Sequence, residues 1–308
     1  MEFASILFMV KNLKKVFLFI FVSLSVSLFN SCWWFDSGPG YRLILQGQYV
    51  PEGVDLSPLC VSNQAMSLHG SNIGCFGADD PVTIEEFINH SEEDMRYFMQ
   101  GLVNNNPELN NSSMYMELNC ENPWPLADWG LHNDDPLQEA YFDSLALRLS
   151  ILREYFPQAI ISIGPVSGNG NGGMPQTLID KIEALNRAGE RGVFDHITCI
   201  EARVFLHRGE DDEGQLEDIV AYAIQSIEIA SSLTNSTGQH LPVCVVGNFF
   251  NNNGNSNNPG APITVEQALV QLNAILTQPN VLVIGWWHPG YNESLQWPIL
   301  EGLNLCGG

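Results

Sequence analysis

Glu117, Asn119 and Glu121 stand at alternate positions at the end of a run, residues 113–119, that reads as a β-strand. Successive side chains of a strand point to opposite faces, so these three share one face. Two carboxylates and an amide on one strand face are costly to bury unless they are paired or used. Cleavage of a glycosidic bond uses such equipment: one carboxyl protonates the leaving oxygen, and a second acts as base or nucleophile. A further carboxyl, Glu201, lies in the apolar run 196–206, with Arg203 on the same face. An ion pair between these elements is as open a reading as catalysis, with Glu117 as the partner of Arg203. The expected roles are Glu121 as acid, Glu201 as base or nucleophile, and Glu117 as the next candidate carboxyl. Asn119, Trp124, Arg203, Asn248, Trp286, Trp287 and His288 are the expected substrate contacts, the indoles because flat apolar rings stack on sugars. The acidic run 210–213 lacks the spacing of a calcium loop, and no Cys/His spacing suggests zinc, so neither metal nor cofactor is expected.

Short apolar runs alternate with long amphipathic ones. Strands are expected at 41–50, 65–69, 113–119, 159–166, 196–206, 241–250 and 281–287. Helices are expected at 83–104, 136–156, 176–188, 215–233, 264–277 and 295–303. Thr83 with Glu86 three residues later forms a capping box that opens the first helix. From residue 113 the order is strand then helix without interruption. The strands are almost continuously apolar, as in a parallel sheet covered on both faces. The fold class is therefore α/β, a (β/α)8 TIM-type barrel, open to distortion or incompleteness in its N-terminal third. Counting back from the end makes 113–119 the fourth strand and 281–287 the eighth. The polar and aromatic clusters then gather where strand ends meet, the rim on which active sites of such barrels form. The glycine-rich stretch 168–173 lacks a P-loop lysine and a dinucleotide fingerprint, and reads as a loop.

The fourth-strand segment Glu117-Leu118-Asn119-Cys120-Glu121-Asn122-Pro123 resembles the β/α-barrel glycoside hydrolases. In the large retaining clan that strand ends in Asn-Glu-Pro, and in the chitinase and hyaluronidase groups it ends in Asp-x-Glu. Both comparisons put the acid on Glu121. The Trp286-Trp287 pair is similar to the strand-eight tryptophan that floors the sugar site in many of these enzymes. Cys120 stands where the first clan has Asn, Asn119 stands where the second has Asp, and strand seven carries no carboxylate nucleophile. The resemblance implies an exported glycoside hydrolase acting on a poly- or oligosaccharide. The alternative is a cell-surface lipoprotein that binds carbohydrate on the same scaffold without cutting it.

The chain has 308 residues and a formal charge of −23. Residues 1–31 hold three lysines and Glu2, so the remainder carries nine basic against 34 acidic residues, with Lys181 its sole lysine. Such a surface repels nucleic acid and anionic headgroups, and fits a neutral or cationic substrate or a saline habitat. Lys11, Lys14 and Lys15 followed by the uncharged run 16–29 read as a signal peptide. Ser31-Cys32 behind that run resembles the bacterial lipoprotein cleavage box, with Phe29 and Asn30 departing from its usual residues. The expected organisation is a signal peptide over 1–31, a tether over 32–40 lipidated at Cys32, and one barrel domain over 41–308. Membrane contact is expected through that anchor alone, and an unlipidated secreted form is the alternative. Export permits disulfides. Cys60 and Cys75 share a loop and could pair, while Cys120, Cys199 and Cys244 in apolar runs are as readily buried free thiols.

Overall fold

Seven parallel strands set the architecture: β1 (Arg42–Gln46), β2 (Ala65–Leu68), β3 (Tyr115–Leu118), β4 (Ile160–Val166), β5 (Cys199–Arg203), β6 (Val243–Gly247) and β7 (Val281–Trp287). Their order in the sheet is β1-β7-β6-β5-β4-β3-β2, the cyclic order of the chain itself. The edge strands β1 and β2 come within 8 Å of each other between Cα atoms, so the sheet curls. The computed structural model describes residues 42–46, 65–68, 73–75, 82–111, 114–120, 122–166, 176–204, 213–247 and 265–287. The expected signal segment, the tether with Cys32, and the last helix lie outside them.

The described residues form seven strands, and an eighth does not occur among them. Counted among these, the strand carrying Glu117 is the third and that of Trp286 the seventh. Counting back from the C-terminus had assumed an additional strand in the N-terminal third.

The helices are α1 (Ile84–Ile88), α2 (Glu92–Asn105), α3 (Gln138–Tyr155), α4 (Gln176–Glu190), α5 (Glu213–Ser232) and α6 (Val265–Leu276). None is long and apolar enough to cross a membrane. The single helix expected over 83–104 is two. The Thr83 capping box forms, with Glu86 Nα donating to Thr83 Oγ1 at 3.2 Å and Thr83 Nα to Glu86 Oε2 at 2.8 Å. The Thr83 Nα bond, joined by one from Thr83 Oγ1 to the same oxygen at 3.0 Å, pulls the Glu86 carboxyl below its ordinary range. The helix stops at Asn89, whose side chain donates back to the Glu85 carbonyl at 2.8 Å. Ser91 then caps α2 by accepting from Asp94 Nα at 3.2 Å. Short polar side chains that bond the local backbone won over the apolar stripe running through both segments.

Period-two alternation sorts the strands onto two faces. Met116, Leu118, Ile161, Ile163, Ile200, Ala202, Val243, Val245 and Ile284 pack with helix residues such as Leu145, Leu149, Leu185 and Ile227 in the main core. The other face, here the inner face, carries a layer with one residue from each of five consecutive strands: Tyr115, Ile160, Cys199, Cys244 and Val283. All five are buried, which is how a curled parallel sheet fills its interior.

Two devices hold the N-terminal part against β3. Arg148 of α3 donates to the Ile73 carbonyl at 3.0 Å, the Phe87 carbonyl at 2.7 Å and the Ser144 carbonyl at 2.9 Å. Its guanidinium lies 3.8 Å from the Phe87 ring centroid. Gly74, at φ 64°, passes so close that a Cβ would sit 2.6 Å from Arg148 Nη2. A disulfide then joins Cys75 to Cys120, just past β3. The suggested Cys60–Cys75 pair is thereby corrected, because the topology brings residue 75 to the end of β3.

Lys181 is buried on α4, where Gly130 packs against its backbone. Burial lowers its amine to about 8, with Asp128 opposing. Between about pH 8 and the ordinary lysine value of about 10.4, the unfolded chain holds a proton that the folded chain has released, so stability rises with pH there. Against Lys181→Met, the wild type should gain on the order of 2 kcal/mol across that window. Urea unfolding at pH 7.5 and 10 reads the difference, and parallel behaviour of the two proteins would contradict the burial account.

Candidate active site

Above the inner layer the same alternation presents Glu117 on β3, Ser162 on β4, and Glu201 and Arg203 on β5. The register explains how they meet. Glu117 lies beside Ser162, Ser162 beside Cys199, and Glu201 beside Cys244. Each strand is staggered against the next, so Tyr115, one pleat below Glu117, reaches across β4 to Glu201. Tyr115 Oη donates to Glu201 Oε2 at 3.0 Å and accepts from Ser162 Oγ at 2.6 Å. Arg203 Nη2 lies 3.8 Å from Glu201 Oε1 and 4.0 Å from Glu117 Oε1. One guanidinium thus stands between two carboxyls, as the interior ion-pair reading expected.

Burial grades this cluster. Tyr115, Ser162 and Glu201 are at most 1% exposed and Glu117 is 4% exposed, whereas the Arg203 side chain keeps 27% of its surface. The cluster therefore runs from a sealed floor at Tyr115 toward an opening at Arg203. Cys199 and Cys244 close the floor as a disulfide between adjacent strands, with 5.7 Å between their Cα atoms. Together with the Cys75–Cys120 bond, this corrects the reading of Cys120, Cys199 and Cys244 as free thiols. They sit in apolar runs, yet the strand pairing brings each to a partner.

No protein-family model and no curated protein matches this chain. Among solved structures, two of bee venom hyaluronidase are similar at 10% sequence identity. One, in complex with a hyaluronic acid tetramer, has a TM-score of 0.43 over 69% of this chain and 72% of that one. The other, a monoclinic crystal form, has a TM-score of 0.44 over 70% of this chain and 80% of that one.

The electrostatics of the cluster follow from its counts. One guanidinium can balance one carboxylate, and the second carboxyl has no further cation among the described residues facing it. Glu201 is the one whose proton affinity is raised. Burial raises its proton affinity most, the Glu117 charge adds to it, and Arg203 and the Tyr115 hydrogen bond oppose. Tyr115 is likewise held protonated by burial and by the two carboxyls. Burial that raises a carboxyl's proton affinity favours a proton-donor role for Glu201 over the base or nucleophile role expected for it.

The other expected residues divide. Asn119 is half-buried just past β3. Trp124 belongs to the core and not to this cluster. It is 7% exposed, stacks on His132 with 4.2 Å between ring centroids, and its carbonyl accepts from Tyr141 Oη at 2.8 Å and Trp129 Nε1 at 3.2 Å. With one face stacked on His132 and 7% of its surface exposed, Trp124 is packed as a core residue in place of the expected sugar contact. Trp286 and Trp287 are placed only by backbone register, Trp286 beside Leu45 and Gly247. Glu121, Asn248, His288 and Cys32 lie outside the described residues. Among the described residues no group of three or more His, Cys, Asp or Glu is arranged to hold a metal ion.

Tyr115 and Ser162 were missed in the sequence. Both left a signal. Ser162 is the one hydroxyl in Ile160-Ile161-Ser162-Ile163, and Tyr115 precedes Glu117 by two, hence on its face.

Proposed function

We propose that this chain is a glycoside hydrolase-like protein that cleaves glycosidic bonds in a poly- or oligosaccharide by carboxyl acid/base catalysis within a β/α barrel. The observation that carries the reading is the pair of inner-face carboxyls, Glu117 and Glu201, held on either side of Arg203, with burial raising the proton affinity of Glu201. Such an unlike pair divides the acid and base tasks of glycoside cleavage. Glu201 supplies the proton and Glu117 the second carboxyl. Glu121, two residues beyond Asn119 in sequence, is the rim acid to which the strand-end motif points.

The test is hydrolysis of a broad panel of neutral and amino-sugar polymers and oligomers by the wild type, Glu121→Gln and Glu201→Gln. Loss in Glu201→Gln alone assigns the proton to Glu201. Loss in Glu121→Gln alone assigns it to the rim. No cleavage by the wild type, with measurable sugar binding, would replace the hydrolase reading by that of a binding protein.

Export and lipid anchoring are part of the same reading. The Cys75–Cys120 and Cys199–Cys244 bonds support it, since structural disulfides persist in oxidising compartments. Expression of the full chain in a bacterial host should place it in the membrane fraction, with a lipid mass at Cys32. Cys32→Ser should abolish that mass; an unchanged adduct would rule out anchoring at that residue.

A further inference from the structure

The proton on Glu201 has two oxygens to choose between, and its neighbours treat them differently. Oε2 accepts from Tyr115 Oη at 3.0 Å. Tyr115 in turn accepts from Ser162 Oγ at 2.6 Å. The two hydrogen bonds run in one direction, from Ser162 through Tyr115 to Glu201. Oε1 is buried and accepts from no donor among the described residues, with the Glu117 carboxyl alongside. It lies 3.8 Å from Arg203 Nη2, the nitrogen that also stands 4.0 Å from Glu117 Oε1. A buried polar oxygen left without a partner costs free energy comparable to a lost hydrogen bond, about 1–3 kcal/mol, so its retention calls for a use.

We propose that Tyr115 is a positioning residue for Glu201: held by Ser162, it commits Oε2 to accepting, and so leaves the carboxyl proton on Oε1, the oxygen turned toward Arg203 and Glu117. The inference rests on the acid role of Glu201 given above. In the reaction the Oε1–H bond breaks, its electron pair stays on Glu201, and the proton goes to the glycosidic oxygen. The C–O bond to that oxygen breaks with its electron pair leaving on the oxygen, while a water oxygen bonds to the sugar carbon and its proton passes to Glu117. A proton shared between both oxygens would be on the wrong one part of the time.

The charged and titratable groups facing Glu201 are few. Tyr115 and Glu117 come from β3 and Arg203 from β5 itself. The β4 neighbour is the Ser162 hydroxyl, and on β6 Cys244 is bonded to Cys199. The Tyr115 hydrogen bond is the one that favours the ionised form of Glu201 besides the Arg203 charge.

The experiment follows the side-chain carboxyl carbons of the full chain by 13C NMR across pH, with Glu201→Gln identifying the Glu201 resonance. In Tyr115→Phe the Glu201 midpoint should move to higher pH, and in Ser162→Ala it should move the same way by less. On a cleaved sugar, kcat in Tyr115→Phe should fall roughly tenfold to a hundredfold at little change in KM, the cost of a misplaced proton. The alkaline limb of the rate profile should move with the midpoint. Near-UV circular dichroism checks the fold, and Ser162→Ala stands in should Tyr115→Phe not fold. A midpoint unchanged or lowered in either folded variant overturns the inference even if sugars are cleaved. A midpoint raised as expected, without cleavage of any sugar, upholds the positioning of the proton and overturns the hydrolase reading instead.

Discussion

Glu201→Gln should abolish most hydrolysis while making the protein less sensitive to alkali. Loss of a positioned acid costs typically about 10²–10⁴-fold in rate, and glutamine can still accept from Tyr115, so the loss should fall on kcat. The stability effect has a definite sign. Glu201 keeps its proton in the folded protein above the pH at which an unfolded glutamate gives it up. Between those two values the folded state binds more protons, so wild-type stability falls as pH rises. Below the ordinary glutamate range the group contributes no such loss. Glutamine does not titrate, so the advantage of Glu201→Gln should grow from acid toward alkaline pH. Thermal melts of both proteins across pH measure it. Parallel curves would mean that Glu201 is ionised in the fold, and would remove its claim to the acid role.

Arg203→Met should be the most damaging of the charge substitutions in the cluster. It leaves two inner-face carboxyls within reach of one another and takes away the one cation placed 3.8 and 4.0 Å from them. Removing one partner of a buried charge cluster costs about 3–5 kcal/mol. The Arg203 side chain is 27% exposed, which puts the expectation at the lower end, about 3 kcal/mol at pH 7. Acid relieves the damage, because a buried carboxylate left without its cation loses its charge on protonation. The loss should therefore shrink to about 1 kcal/mol near pH 4, where ordinary carboxylates take up protons. Urea unfolding at the two pH values reads both figures. An equal loss at both would show that Arg203 acts by packing its methylene stem, with its charge immaterial.

Much of the sheet was legible in the sequence, for a physical reason. Strands covered on both faces are continuous apolar runs, and 281–287 and 159–166 coincide with β7 and β4 to within a residue. The run 196–206 is longer than β5 and starts three residues before it, because apolar character does not mark where the ladder hydrogen bonds begin. Residues 41–50 and 65–69 gave β1 and β2, yet the eighth strand inferred by counting does not occur among the described residues. Periodicity reveals which residues share a face of one strand. It does not reveal which residues of different strands meet, and the cluster is built from such meetings. Glu117, Glu201 and Arg203 were visible as charges in apolar runs, and so was their pairing as a possibility. Tyr115 reaching across β4 to Glu201 depends on the stagger, as does the bond of Cys199 to Cys244, 45 residues apart. Trp124 shows the opposite error: an aromatic near a strand end resembles a sugar platform until packing against His132 and Tyr141 buries it.

The most direct test is release of reducing ends from the sugar panel by wild type and by the double variant Glu117→Gln/Glu201→Gln, with folding of both verified. If the inner-face carboxyls do the chemistry, the wild type should cleave at least one sugar and the folded double variant should leave it intact. Cleavage at an undiminished rate by the double variant would contradict it, since the inner-face carboxyls would then have no part in the chemistry.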